Sequence, residues 1–247
     1  MLSPTSRFSD RASEYVKFRP TYPPAAVDAV LDGLGLPSGL LAADVGAGTG
    51  ISARLLADRG CRVIAIEPNR AMRDAAEPHQ RVEWRDGSAE DLGLHGESID
   101  LVIAAQAFHW FRPTSALAEF ARVLRPGGRL ALVWNLRDNR DAFTAGYTAA
   151  LFRTAIDDAV EKDLQTDSLA ACALYQTALR LEFEGVPQSF TAEGLLGRAL
   201  SSSYVPRSGP AHATLISDLN ALHAAHADTQ GRVQLRYRTE VWLARRL

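Results

Sequence analysis

The chain is poor in the residues that several chemistries require. Its two cysteines, Cys61 and Cys172, lie far apart without a spaced partner, which excludes a disulfide framework and fits a reducing compartment. Both read as core thiols. Lysine is nearly missing: Lys17 and Lys162 are the only two, and the other basic residues are arginine, so Schiff-base chemistry has few candidates and carboxylate recognition has many. No apolar run reaches about twenty residues and no charged-then-apolar leader opens the sequence, so neither a membrane span nor a signal peptide is expected and the cytoplasm is the default location. A formal net charge of −2 and a pI near 6.3 provide no basic face for nucleic acid or an anionic membrane. Internal repeats and low-complexity tracts are also missing. Oligomeric state is not legible.

What is present suits one substantial core: 47% of the 247 residues are hydrophobic. A single domain over 1–247 is expected, with an N-terminal lid to about residue 36, a binding core to about 136, and a helical insertion with closing strands after it. The organising stretch is Leu41 to Gly50, LAADVGAGTG. Its first half reads as a buried strand, and Asp44 followed by Gly46, Gly48 and Gly50 reads as a sharp turn into a helix over Ile51 to Arg59. Glycine there tolerates positive φ and close approach of a ligand, and the helix start offers unpaired N–H groups. The next strand, CRVIAIEP, ends in Glu67 and Pro68, where open α/β sheets place an acceptor for two ribose hydroxyls. Asp44 also reads as a turn-former, and Glu67 as a charge at a helix N-terminus.

The spacing G-x-G-x-G differs from a dinucleotide fingerprint, because Ile51 stands where that fingerprint needs glycine. With Asp44 and Glu67 it resembles motif I and the acidic loop of class I S-adenosylmethionine-dependent methyltransferases, over roughly Leu40 to Asn135. The resemblance implies a Rossmann-like α/β fold: a seven-stranded, mostly parallel sheet with an antiparallel last strand, helices on both faces and helical lid elements. It also implies S-adenosylmethionine as cofactor, touched by Asp44, Gly46, Ala47, Gly48, Gly50, Glu67 and Pro68. In the family a later loop reads G-D-A-E-D-L and flanks the adenine. This chain writes DGSAEDL, so Ser88 replaces the aspartate and the contact passes to the Ser88 hydroxyl and the backbone of Ala89 and Glu90. Glu90 alternatively caps a turn.

Three further stretches bear on chemistry. Tyr15 and Arg19 lie on adjacent helical turns before Pro20, in A-x-x-Y-x-x-x-R-P-x-Y-P, which looks like the opening of the trans-aconitate methyltransferase-like group. They read either as packing of an amphipathic helix or as a lid contacting the methionyl carboxylate. The fourth strand, Ile99 to Ala105, runs into QAFHWF, which places Gln106, His109 and Trp110 past a strand's carboxyl end, where the transferred group would lie. The stretch resembles small-molecule methyltransferases of the trans-aconitate and biotin-pathway kind, and lacks the Asn/Asp-Pro-Pro-Tyr turn of enzymes that methylate amino groups of DNA bases or glutamine. His109 reads as a base, a substrate contact or a loop fastener. Finally, Ser201 to Ser208 reads either as a solvated loop or as a closure in which Tyr204 and Arg207 contact a substrate carboxylate.

Elsewhere Thr114 is expected to cap a helix, Asp138 to Glu184 to be mostly helical, Pro187 to Phe190 to form a strand, Thr191 to cap a helix, and Val233 to Ala244 to close the sheet as an antiparallel edge. His212, His223 and His226 have no third ligand at fixed spacing, so no metal is expected. The combined expectation is methyl transfer from S-adenosylmethionine to a small molecule, a carboxylate or other acidic acceptor preferred. The competing readings are a nicotinamide-dependent oxidoreductase on a related sheet and a nucleoside-binding module without catalysis.

Overall fold

The computed structural model describes residues 18–155, 164–202 and 204–247. The expected contact residue Tyr15 and most of its lid helix lie outside them. Pro24, pre-set for a first helical turn, starts α1 (Pro24–Leu31), which buries Ala26, Val27, Val30 and Leu31. Then follow β1 (Leu41–Val45), α2 (Ile51–Asp58), β2 (Arg62–Ile66), α3 (Arg70–Asp74), β3 (Val82–Arg85) and β4 (Ile99–Ala105). The chain continues through α4 (Pro113–Val123), β5 (Leu124–Arg137), α5 (Ala142–Thr154), α6 (Thr166–Ala170), β6 (Leu179–Glu184) and β7 (Gln188–Phe190). It ends with α7 (Ala192–Leu200), α8 (Gly209–His226), β8 (Val233–Leu235) and β9 (Tyr237–Arg245).

The main sheet has seven strands in the order β3-β2-β1-β4-β5-β9-β6. Strands β1 to β5 are mutually parallel, and β9 runs antiparallel to both β5 and β6. The fold is therefore the Rossmann-like α/β arrangement expected, with one correction. The last strand is not an edge: it lies between β5 and β6, and its buried Val241, Leu243 and Ala244 fit that interior place. Chain order reverses between β1 and β4, and such a switch point opens a crevice at the carboxyl ends of the strands.

Parallel strands covered on both faces carry apolar side chains on both. Ala42, Val63, Leu101, Ile103 and Ala131 pack with α1 and α2, while Ala43, Val45, Val102, Ala104 and Leu132 pack on the other face with Leu117 and Phe120 of α4 and Leu169 of α6. Helix α2 buries Ser52, Ala53, Leu56 and Ala57, and the half-buried Ile51 and Leu55 pack against the same core. A third core joins Tyr147 and Leu151 of α5, Leu195 of α7, Leu215 of α8 and the small β7–β8 hairpin sheet.

Other expectations shift in detail. Thr114 lies inside α4; the N-cap is Arg112 and Pro113 occupies the first helical turn. The segment from Asp138 to Glu184 holds α5 and α6 but ends in a strand, β6, whose side chains are largely exposed. Val233 to Ala244 is broken at Arg236, because that backbone N–H donates to Thr144 Oγ1 at 3.0 Å instead of joining a ladder. Thr191 caps α7 as expected, its hydroxyl accepting from Gly194 N–H at 3.3 Å.

Candidate active site

The crevice at the switch point is a cavity of about 490 Å³, within the range of small-molecule sites. Its floor begins with the glycine turn. Gly46, Gly48 and Gly50 have φ of 68°, 58° and 78°, so the sequence places glycine where left-handed backbone is required. A Cβ on Gly46 would stand 2.7 Å from Ala107 Cβ and 3.0 Å from the Phe111 ring. The turn thus packs against the loop after β4, whose Phe111 meets Phe108 and Phe120 edge-on at 6.1 and 6.2 Å. Gln106 begins that loop at φ 57°, uncommon for a residue with a side chain, and its Nε2 donates to the Asn135 carbonyl at 2.9 Å.

Glu67 ties the turn to the end of β2. Its Oε2 accepts from Gly48 N–H and its Oε1 from Asn69 N–H, both at 2.9 Å. Burial pushes its carboxyl above the ordinary range, and those two N–H groups pull it back. Each oxygen keeps a lone pair, and Glu67 lines the cavity, as two vicinal hydroxyls would require. Pro68, Ser88, Ala89 and Glu90 line the same end with Met72. Glu90 also accepts from Arg112 N–H at 2.9 Å, at the start of α4, so it fastens a helix end as well.

Asp44 is placed differently. It is fully buried under the turn and does not line the cavity. Ser52 Oγ donates to its Oδ2 at 2.6 Å, Oδ1 has no hydrogen-bond partner, and burial pushes the carboxyl up to about 7. Ala47 and Gly50 also lie off the cavity wall: Ala47 is buried in the core, and Gly50 is the N-cap of α2 with Trp84 against it. The opposite wall carries Gln106, His109 and Trp110. The Trp134 indole N–H donates to His109 Nδ1 at 3.2 Å. A neutral imidazole accepting at Nδ1 carries its proton on Nε2, so His109 is set as an N–H donor rather than a free base.

The rest of the wall was not anticipated from the sequence: Tyr22, Asn135, Arg137, Arg198, Ser202 and Tyr237. They come from four separated segments, and apart from Tyr22, which belongs to the R-P-x-Y-P opening, no local pattern marks them. Arg19 lines the cavity with Nη2 on the Ser201 carbonyl at 3.3 Å. Tyr204 lines it too, but Arg207 is exposed and off the wall, so the closure contact expected of Arg207 has no geometric support. Among the described residues there is no cluster of three metal-ligating side chains and no helix long and apolar enough to cross a membrane. His212 and His223 are bonded to the carbonyls of Pro206 and Gly231, and His226 meets the Phe143 ring edge-on at 5.7 Å.

Comparison with known proteins agrees with this geometry. Residues 43–132 match a family model described as a methyltransferase domain. An uncharacterized methyltransferase of Mycobacterium tuberculosis is 45% identical over 136 residues, 54% of this chain and 54% of its own. One from Schizosaccharomyces pombe is 37% identical over 134 residues, 53% of each chain. The chain spans about half the length of the curated relatives it matches. A solved putative type II methyltransferase from Anaeromyxobacter dehalogenans superposes with a TM-score of 0.64 at 27% identity, covering 92% of this chain and 97% of that one.

Proposed function

We propose, from the match of residues 43–132 to a methyltransferase domain, that the chain is a class I enzyme that transfers a methyl group from S-adenosylmethionine to a small, acidic molecule, a carboxylate preferred. The observation that carries this reading is Glu67. It is fixed by two backbone N–H groups at the rim of a glycine turn whose backbone a side chain would obstruct, and it faces a cavity of ligand size. The residues present fit the cofactor: Glu67 for the ribose hydroxyls, Ser88 and the Ala89 and Glu90 backbone beside the adenine, and Arg19 for the methionyl carboxylate. The opening around Arg19 and the QAFHWF loop favour the trans-aconitate-like small-molecule group within the class.

When bound, the cofactor would supply an electrophilic sulfonium methyl for an acceptor's lone pair, with sulfur keeping the electrons of the carbon–sulfur bond. The chain's task is to align the acceptor and exclude water. His109, held by Trp134, donates from Nε2 and orients an acceptor oxygen. A carboxylate acceptor is already ionised and needs no proton removed. Phe111 and Trp110 shield the crevice. Calorimetry with S-adenosylhomocysteine and with NADH tests the reading: the first is expected to bind and the second not, and preferential NADH binding would overturn it. Replacing His109 with alanine is expected to lower kcat less than about a hundredfold, since an orienting donor contributes less than an essential base.

A further inference from the structure

Two buried arginines can be compared directly. Arg129 is 7% exposed, and its guanidinium donates to the carbonyls of Val30 and Asp32 at 2.9 and 2.7 Å, at the carboxyl end of α1. That is a structural helix cap, because the last carbonyls of a helix need donors. Arg198, on α7, is 3% exposed, and among the described residues its bonds go to neutral hydroxyls: Tyr237 at 3.3 Å, Ser201 at 3.3 Å and Ser202 at 3.4 Å. Arg137, at the end of β5, likewise donates to Thr148 Oγ1 at 2.9 Å and to the Tyr204 hydroxyl at 3.1 Å. Among the described residues no carboxylate is bonded to either guanidinium. Both line the cavity.

Buried arginine is ordinarily paired, because a guanidinium cannot shed its proton to escape a low-dielectric wall. Hydroxyls orient such a group but do not neutralise it, and the dipole at the end of α7 supplies only about half a charge. Burial pushes the Tyr204 phenol up, yet Arg137 and Arg198 more than offset that and hold it below the ordinary tyrosine range, which reports the same positive field. Planar guanidinium forks match an oxyanion with two or more parallel hydrogen bonds.

We propose that Arg137 and Arg198, with the Tyr204 hydroxyl bonded to the first, form the seat for an oxyanion carried by the methyl acceptor. The seat rests on the methyl-transfer reading only in calling its ligand the acceptor. It is separate from the cofactor turn: β4 lies between β1 and β5, so Arg137 and the glycines are two strand spacings apart across the sheet, about 10 Å, and Arg137 lies further along its strand. A carboxylate and a phosphate ester share this chemistry, so the experiment uses both malonate and inorganic phosphate.

Calorimetry on the full chain measures each probe with S-adenosylhomocysteine present and without it. The wild type is expected to bind at least one probe saturably; the tighter of the two identifies the acceptor's charged group as carboxylate or phosphate. Arg137→Gln and Arg198→Gln are each expected to weaken that binding at least tenfold while changing S-adenosylhomocysteine affinity less than about threefold. If Arg198→Gln does not fold, Arg137→Gln and Tyr204→Phe, at less buried positions, carry the test. Wild-type protein that binds neither probe, or arginine variants that bind as wild type does, overturns the seat. Arginine-dependent anion binding in a protein that ignores S-adenosylhomocysteine supports the seat and sinks the methyl-transfer reading instead.

Discussion

Replacing Asp44 with asparagine should remove a fall in the chain's stability between about pH 5 and pH 8. Asp44 has no solvent exposure, one oxygen without a partner and a carboxyl pushed up to about 7 from 3.8 by burial, a shift that the Ser52 hydroxyl and Ala53 N–H only partly oppose. In the unfolded chain it ionises near its ordinary value. Between about pH 4 and pH 7 the folded chain therefore holds a proton that the unfolded chain has released, and stability falls as pH rises through that window. The shift of about 3 units corresponds to roughly 4 kcal/mol once pH exceeds the folded value, and about 2 to 3 kcal/mol of that lies between pH 5 and pH 8. Such a loss is large against a total of about 5–15 kcal/mol. Asparagine keeps an acceptor for Ser52 and carries no proton to exchange. Urea unfolding of both proteins from about pH 5 to pH 8 is expected to show the variant gaining on the wild type by that 2 to 3 kcal/mol. Parallel stability profiles, with the gap constant within about 0.5 kcal/mol, would show that Asp44 is ionised in the fold and refute the reasoning.

Other substitutions probe the site directly. Gly46→Ala forces a Cβ to 2.7 Å from Ala107 at a φ of 68°, so unfolding should become easier by about 1–3 kcal/mol and S-adenosylhomocysteine binding should weaken, both read by thermal shift. Glu67→Gln leaves one acceptor oxygen for two N–H donors, those of Gly48 and Asn69; calorimetry should report a loss of about tenfold to a hundredfold in cofactor affinity, and an unchanged constant would remove the ribose role. Trp134→Phe takes away the donor that fixes His109 at 3.2 Å, and kcat should fall about tenfold with KM little changed, whereas equal turnover would mean His109 does not orient the acceptor.

Local pattern marked the glycine-turn half of the cavity. The apolar strand, the glycines at fixed spacing and the acidic residue ending β2 are neighbours in sequence and in space, so periodicity and turn chemistry were enough to place Gly46, Gly48, Glu67 and the loop holding Gln106 and His109. The half lined by Arg137, Arg198 and Tyr237 was not legible in that way. Arg137, Arg198 and Tyr237 are far apart in sequence and meet through the β5–β9 ladder, which pairs Arg137 with Tyr237, and through the bond from Arg198 to the Tyr237 hydroxyl; nothing in LGRAL distinguishes Arg198 from the exposed arginines that are frequent in this sequence. Arg207 and Tyr204 looked equivalent in SSSYVPRS; the fold turned Tyr204 into the cavity and left Arg207 in solvent. Strand β6 reads LRLEFE, as compatible with a helix as with a half-exposed edge, until β9 supplies its hydrogen-bonding partner. Burial decided the rest: a carboxyl such as Asp44, read from sequence as a turn or ligand group, becomes a proton-holding core residue only when Ser52 and the turn close over it. Sequence sets what each short segment prefers, but desolvation and pairing between distant segments are properties of the assembled fold.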